Sequence, residues 1–136
     1  MTIKISGSCL CDEVQFTVTG PFQLFVLCHC SRCRKSTGSA HASNIFTEAV
    51  NIEWISGAEL VNRYELPDAK RFTKAFCLKC GCPVPCVSRD DKRLLIPAGS
   101  LDSNPDINPH MRIYCADKAP WYEQIETVRS FDGAAT

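Results

Sequence analysis

The feature that most limits how this chain can fold is its cysteine content: ten in 136 residues, gathered into close groups. They read Cys9-Leu-Cys11, Cys28-His-Cys30-Ser-Arg-Cys33 and Cys77-Leu-Lys-Cys80-Gly81, with Cys82, Cys86 and Cys115 left over. The N-terminal stretch MTIKISGSCLCDEV lacks an apolar segment of the secretory kind. No apolar run approaches the roughly 20 residues needed to span a bilayer. A cytoplasmic setting is expected, and there such thiol density points to metal ligation or thiol chemistry instead of a disulfide framework.

Each spacing has a geometric meaning. In an extended strand, residues i and i+2 point the same way, so a Cys-x-Cys pair presents two sulfurs to one face. A Cys-x-x-Cys turn does the same on a tight knuckle. Gly81, directly after Cys80, permits a positive φ that lets a backbone N–H turn back toward a sulfur and steady it. Cys9 and Cys11 on a first strand, joined by Cys77 and Cys80, predict a closed four-thiolate tetrahedral zinc site. Such a site is structural, because no coordination position remains for a substrate.

Cys28, Cys30 and Cys33 predict a local tripod of three sulfurs with one position free. Catalytic zinc is held in that way. An all-sulfur shell is soft and suits an incoming thiolate better than it suits water. A thiol bound there is deprotonated at neutral pH. Zinc with three thiolates carries net negative charge, and Arg32, Arg34 and Lys35 flank Cys33. They are expected to offset that charge or to hold an anionic substrate, although each alone reads equally well as part of a solvated basic loop.

Two other readings of the cysteines stay open at this level. Cys30/Cys33 with Cys77/Cys80 would make an ordinary zinc ribbon, leaving Cys9, Cys11 and Cys28 idle. That partition favours a non-catalytic zinc module for protein or nucleic-acid interaction. Alternatively, the Cys28–Cys33 group would cycle as redox thiols. Cys86 and Cys115 are expected to be small buried hydrophobes, and Cys82 is an alternative ligand. His29, between two proposed ligands, should point to the opposite face. His41 and His110 are candidate proton shuttles.

Charge narrows the partners. Lys+Arg and Asp+Glu both number 15, so there is no global positive field to attract nucleic acid, though a local patch would escape that argument. The remaining sequence reads as one domain over residues 1–136, mostly β. Short runs such as EVQFTVTG, FQLFVLCHC, HASNIF, VNIEWI, LVNRYEL, RFTKAFC, RLLIPAGSL and RIYC are separated by turn signals. Short helical turns are expected at Ser31–Thr37 and near Tyr122–Val128, and Phe46, Trp54, Phe72 and Phe76 are the expected aromatic core. Small antiparallel sheets pinned together by metal follow as the architecture.

In order and spacing, GSCLCDEVQFTVTG, CHCSRCRKSTGS, FCLKCGCPV, AGSLD and KAPW resemble the glutathione-dependent formaldehyde-activating enzyme family, whose domain is shared with centromere protein V. The resemblance runs from Gly7 to Trp121. It implies a zinc-pinned, zinc-ribbon-like β-tent fold. It also implies two zinc ions per chain, with Cys9, Cys11, Cys77 and Cys80 on the structural positions and Cys28, Cys30 and Cys33 on the catalytic ones. The implied activity is that of a carbon–sulfur lyase: reversible addition of glutathione to formaldehyde, giving S-hydroxymethylglutathione. The partners would be a small thiol, glutathione, and an aldehyde.

Overall fold

Chain order alternates short strands with tight turns, as the punctuation of the sequence predicts. The computed structural model describes residues 3–135. Its elements are β1 (Lys4–Ser8), β2 (Gln15–Thr19), β3 (Leu24–Cys28), α1 (Ser31–Thr37), β4 (Ala42–Glu48), β5 (Ile52–Ser56), β6 (Val61–Glu65), β7 (Thr73–Cys77), β8 (Pro83–Val84), β9 (Cys86–Val87), β10 (Arg93–Pro97) and β11 (Met111–Ile113). They form three sheets, ordered β1-β2-β5, β11-β3-β4-β10-β9 and β6-β7-β8. Among the described residues no helix is long and apolar enough to cross a membrane.

Apolar alternation decides which faces meet. Ile5, Phe16 and Val18 from the first sheet bury against Phe25, Ile45, Leu94 and Ile96 from the second. Cys9, Val14, Ala75, Cys77, Val84 and Cys86 form another cluster, and Trp54 packs against both. A small third cluster gathers Cys28, Cys33 and Ala42, edged by Cys30, Phe72 and Ile113. Ile96 is fully buried in the main cluster. Ile96→Ala is therefore expected to cost about 2–5 kcal/mol through lost transfer energy and a cavity. Denaturant unfolding at saturating metal measures it.

The turn that carries Cys11 is held by close backbone packing. Gly57 has φ 73°, and a Cβ there would run into the Glu13 backbone. Ser56 Oγ donates to the same Glu13 carbonyl at 3.2 Å. The end of β5 thus lies directly on the loop that follows Cys11, an approach open only to a residue without a side chain.

Several expectations need correction. Not every pair is antiparallel: β11 runs parallel to β3, with Ile113 opposite Cys28. The AGSL end of the RLLIPAGSL run leaves the sheet as a 3-10 turn at Ala98–Ser100. Phe46 and Phe76 are only half-buried, each with a cation 5.8 Å from the ring centre, Arg93 over Phe46 and Lys74 over Phe76. Trp54 and Phe72 are likewise half-buried, at the margins of their clusters. Helix α1 stands where it is expected, and the short helical turn expected near Tyr122–Val128 is a 3-10 turn at Ile125–Thr127, preceded by another at Pro120–Tyr122.

Candidate metal centres

The first cysteine group sits in a turn, not on a strand. β1 stops at Ser8, and Cys9–Asp12 bends back, with Asp12 N–H donating to the Cys9 carbonyl and Cys9 N–H to the Val14 carbonyl. Cys77 is the last residue of β7, and Cys80 lies in the turn beyond it. Gly81 closes that turn at φ 73°, its N–H donating to the Cys77 carbonyl at 2.8 Å. The anticipated N–H to sulfur contact is made by Lys79, 3.3 Å from Cys77 Sγ. Val14 N–H does the same for Cys9 Sγ at 3.4 Å.

These two turns bring four sulfurs together. Cys9 Sγ and Cys11 Sγ are 3.6 Å apart, Cys11 Sγ and Cys77 Sγ 3.8 Å, and all four, Cys80 included, lie within 4.8 Å of one another. Metal–sulfur bonds of about 2.3 Å in a tetrahedron require sulfur–sulfur edges of roughly 3.8 Å. The spacing fits, and it is far too long for disulfide bonds of about 2.05 Å. The electrostatics point the same way. The Cys11 N–H, followed by the Cys82 N–H, pulls the Cys80 thiol down to about 6. Cys11 is pushed up to about 12: the Glu13 N–H favours its thiolate, but burial and the sulfurs of Cys9, Cys77 and Cys80 together outweigh that. Thiolates this close ionise together only around a cation, and a soft four-sulfur set suits zinc. A surface ion pair between Lys79 and Glu13, at 2.8 Å, ties the two turns together.

The second group forms at the junction of β3 and α1. Cys28 ends the strand. Cys30 is the helix N-cap with extended backbone (φ −65°, ψ 157°), and its sulfur accepts the Cys33 N–H at 3.3 Å. Cys33 is buried inside the helix, which ends at Gly38 in the left-handed region. The three sulfurs again lie within 4.8 Å of one another. Hydrogen bonding from the Cys33 thiol, helped by the Cys30 N–H and opposed by burial, draws Cys28 down to about 6. Cys33 is pushed up, first by its bond to Cys28 and then by burial. No fourth His, Cys, Asp or Glu joins this group among the described residues, and its flanks are Ala42, Phe72 and Ile113.

The grouping overturns the ribbon partition, because Cys30 and Cys33 share no cluster with Cys77 and Cys80. Cys82 stays outside the four-sulfur group, with its Sγ 3.7 Å from the Cys80 carbonyl. It lines an open groove of about 470 Å³ with Ser8, Cys9, Leu10 and Leu101. That groove adjoins the four-cysteine group, not the tripod. Cys86 is buried as expected, but Cys115 is exposed, because it opens a 3-10 turn (Cys115–Asp117) on the surface.

The basic residues divide. Arg34 Nη1 donates to the Asp117 carbonyl at 2.7 Å, which fastens the C-terminal segment to α1. Arg32 and Lys35 are exposed on the helix. His110 braces the far end of β3, with Phe25 N–H donating to its Nδ1 at 3.1 Å. His29 does face away from the tripod, wholly buried, against His41 and Tyr122 at ring-centre distances of 5.0 and 5.2 Å. Burial first, and then the positive fields of His41, Arg112 and Lys118, hold the His29 imidazole below its usual pKa. Nothing in the sequence places Arg112 and Tyr122 beside His29. They reach His29 only through the parallel β11–β3 pairing and the turn after it, which no local pattern announces.

No curated protein matches the chain. A crystal structure of a protein from Rhodobacter sphaeroides is similar in fold, with a TM-score of 0.63 and 22% identity over 79% of this chain and 99% of that one. The model of the glutathione-dependent formaldehyde-activating enzyme family matches residues 4–117, a span that holds both sulfur clusters. The chain belongs to the glutathione-dependent formaldehyde-activating enzyme family.

Proposed function

We propose that the chain is a zinc-dependent carbon–sulfur lyase that reversibly joins a small thiol of the glutathione type to a small aldehyde. It would hold two zinc ions, a structural one at Cys9, Cys11, Cys77 and Cys80 and a catalytic one at Cys28, Cys30 and Cys33. The observation that carries the reading is the number of donors in the second group: three sulfurs meet at one bend of the chain, and among the described residues no fourth His, Cys, Asp or Glu joins them. Zinc held by Cys28, Cys30 and Cys33 would supply soft Lewis acidity that favours the thiolate form of a small thiol at neutral pH.

The chain's own residues would do the rest. Cys28 and Cys30 reach the site from either side of one bend and Cys33 from the first turn of α1, so the site is fixed by a strand end and a helix start. Phe72, Ile113 and Ala42 form an apolar flank that limits water beside the sulfurs. Holding thiol and aldehyde in contact makes their meeting effectively intramolecular. The carbon–sulfur bond forms at the carbonyl carbon, and the thiol's proton ends on the former carbonyl oxygen. The reverse step breaks that bond and returns thiol and aldehyde. Exposed Arg32 and Lys35 suit the substrate's carboxylates, whereas Arg34 is occupied by the Asp117 carbonyl.

Cobalt substitution tests the reading. Titrating the cobalt protein with glutathione is expected to change its sulfur-to-metal absorption saturably, and formaldehyde added next is expected to alter it again. A spectrum indifferent to glutathione and to other small thiols would refute the proposal.

A further inference from the structure

Behind the tripod lies a polar knot that the proposed reaction does not use. His29 separates Cys28 from Cys30 in sequence, yet its ring turns to the other face and is completely buried. There it meets His41 at 5.0 Å and Tyr122 at 5.2 Å between ring centres. Arg112 Nε donates to His29 Nε2 at 3.3 Å, and the Arg112 guanidinium sits 5.4 Å from the Tyr122 ring centre. The His29 N–H, for its part, donates to the Ile113 carbonyl at 2.9 Å. Strand β11 thus grips the residue between two sulfur donors twice, by backbone and by side chain.

The chemistry of the pair fixes its hydrogens. A guanidinium has donors and no acceptor, so Nε2 must offer its lone pair and the ring proton must lie on Nδ1. Nδ1 is enclosed near the Ala40 backbone but makes no well-formed hydrogen bond among the described residues. Among the described residues the ring's best-formed hydrogen bond is therefore the one from Arg112, at 3.3 Å. Loss of that bond would leave Nε2 unsatisfied and Nδ1 with no more than the Ala40 backbone beside it, which favours reorientation of the ring and of the peptide carrying it. Cys28 and Cys30 are the immediate neighbours of that peptide, so the ring's orientation bears on where their sulfurs point.

We infer that Arg112 is a positioning residue for the three-cysteine centre, acting through His29 to hold Cys28 and Cys30 at ligand spacing. This rests on the reading of the tripod as a metal site. Supporting contacts behind metal ligands typically carry about 10–100-fold in metal affinity. Arg112 is exposed on an edge strand, so its replacement removes little buried packing and Arg112→Met is expected to fold.

The experiment is chelator competition on zinc-loaded protein, read together with the cobalt spectrum of the three-cysteine site and the melting temperature of each variant. In Arg112→Met the weaker-held ion is expected to bind about 10–100-fold less tightly, while the four-cysteine ion is unchanged. His29→Phe keeps an aromatic ring but removes the acceptor and should reproduce the loss. The double variant should lose no more than either single one, since both break one interaction. Arg112→Lys, which lacks the planar donor fork, should restore only part of the affinity. A second ion bound within twofold of wild type in Arg112→Met, or losses that add in the double variant, would overturn the inference and leave the tripod reading intact. A wild-type protein that binds only one ion would overturn both.

Discussion

Cys77→Ser is expected to leave the chain unfolded, not locally altered. Cys77 is fully buried and ends β7, and its sulfur meets one 66 residues earlier in the chain, at Cys11. The cluster around it is half cysteine: Cys9, Cys77 and Cys86 with Val14, Ala75 and Val84. Apolar burial there is modest, and the metal would be the main tie between the turn after β1 and the third sheet. Structural zinc contributes about 10–16 kcal/mol of apparent binding free energy, against a typical net stability of about 5–15 kcal/mol. Even partial loss of the first quantity exhausts the second. Circular dichroism and metal content report the result: little native signal and little bound zinc, with the same outcome when a strong chelator strips the wild-type protein. A folded Cys77→Ser domain that keeps native signal without this ion would refute the structural assignment.

The cysteine partition was legible because ligand spacing is a local property. Cys-x-Cys and Cys-x-x-Cys fix where two sulfurs can point whatever the rest of the chain does. The same reasoning misjudged the backbone that supplies the first pair. Cys9 and Cys11 converge from a turn instead of a strand, since both conformations bring residues i and i+2 to one side. Most strands were equally readable from β-branched and aromatic alternation, as in Val14 to Val18. Two kinds of feature were hidden. Strands β8 and β9 are two residues each and lie in a proline-containing run, too short for any period to show. The parallel seat of β11 beside β3 is a long-range choice, and with it went Arg112, Tyr122 and the whole environment of His29. His29 shows the boundary well: alternation placed its ring on the far face, but nothing local said what waited there.

Cys28→Ser should behave in the opposite way to Cys77→Ser: folded, one ion short and inactive. Cys28 is paired through its backbone on both sides, to Ala42 of β4 and to Ile113 of β11, and neither pairing depends on its sulfur. The main apolar cluster, from Ile5 to Ile96, contains no cysteine and stands apart from the tripod. A buried hydroxyl in place of the thiol costs at most about 1–3 kcal/mol if it finds no partner, within what a domain of ordinary stability tolerates. The tripod, however, has no spare His, Cys, Asp or Glu among the described residues: two sulfurs would remain where three are needed, so affinity should fall by more than the roughly 10–100-fold that a supporting contact carries. Metal analysis should find one zinc ion fewer than in the wild type, for which the two cysteine groups predict two. The glutathione response of the cobalt protein and the proposed carbon–sulfur lyase activity should vanish together. The pairing of these losses is the sharper test, because a thiol that binds elsewhere on the protein would still perturb a variant lacking Cys28. Retention of two ions, or of the glutathione response with one, would remove the tripod from the reaction and leave the four-cysteine brace as the only role for metal in this fold.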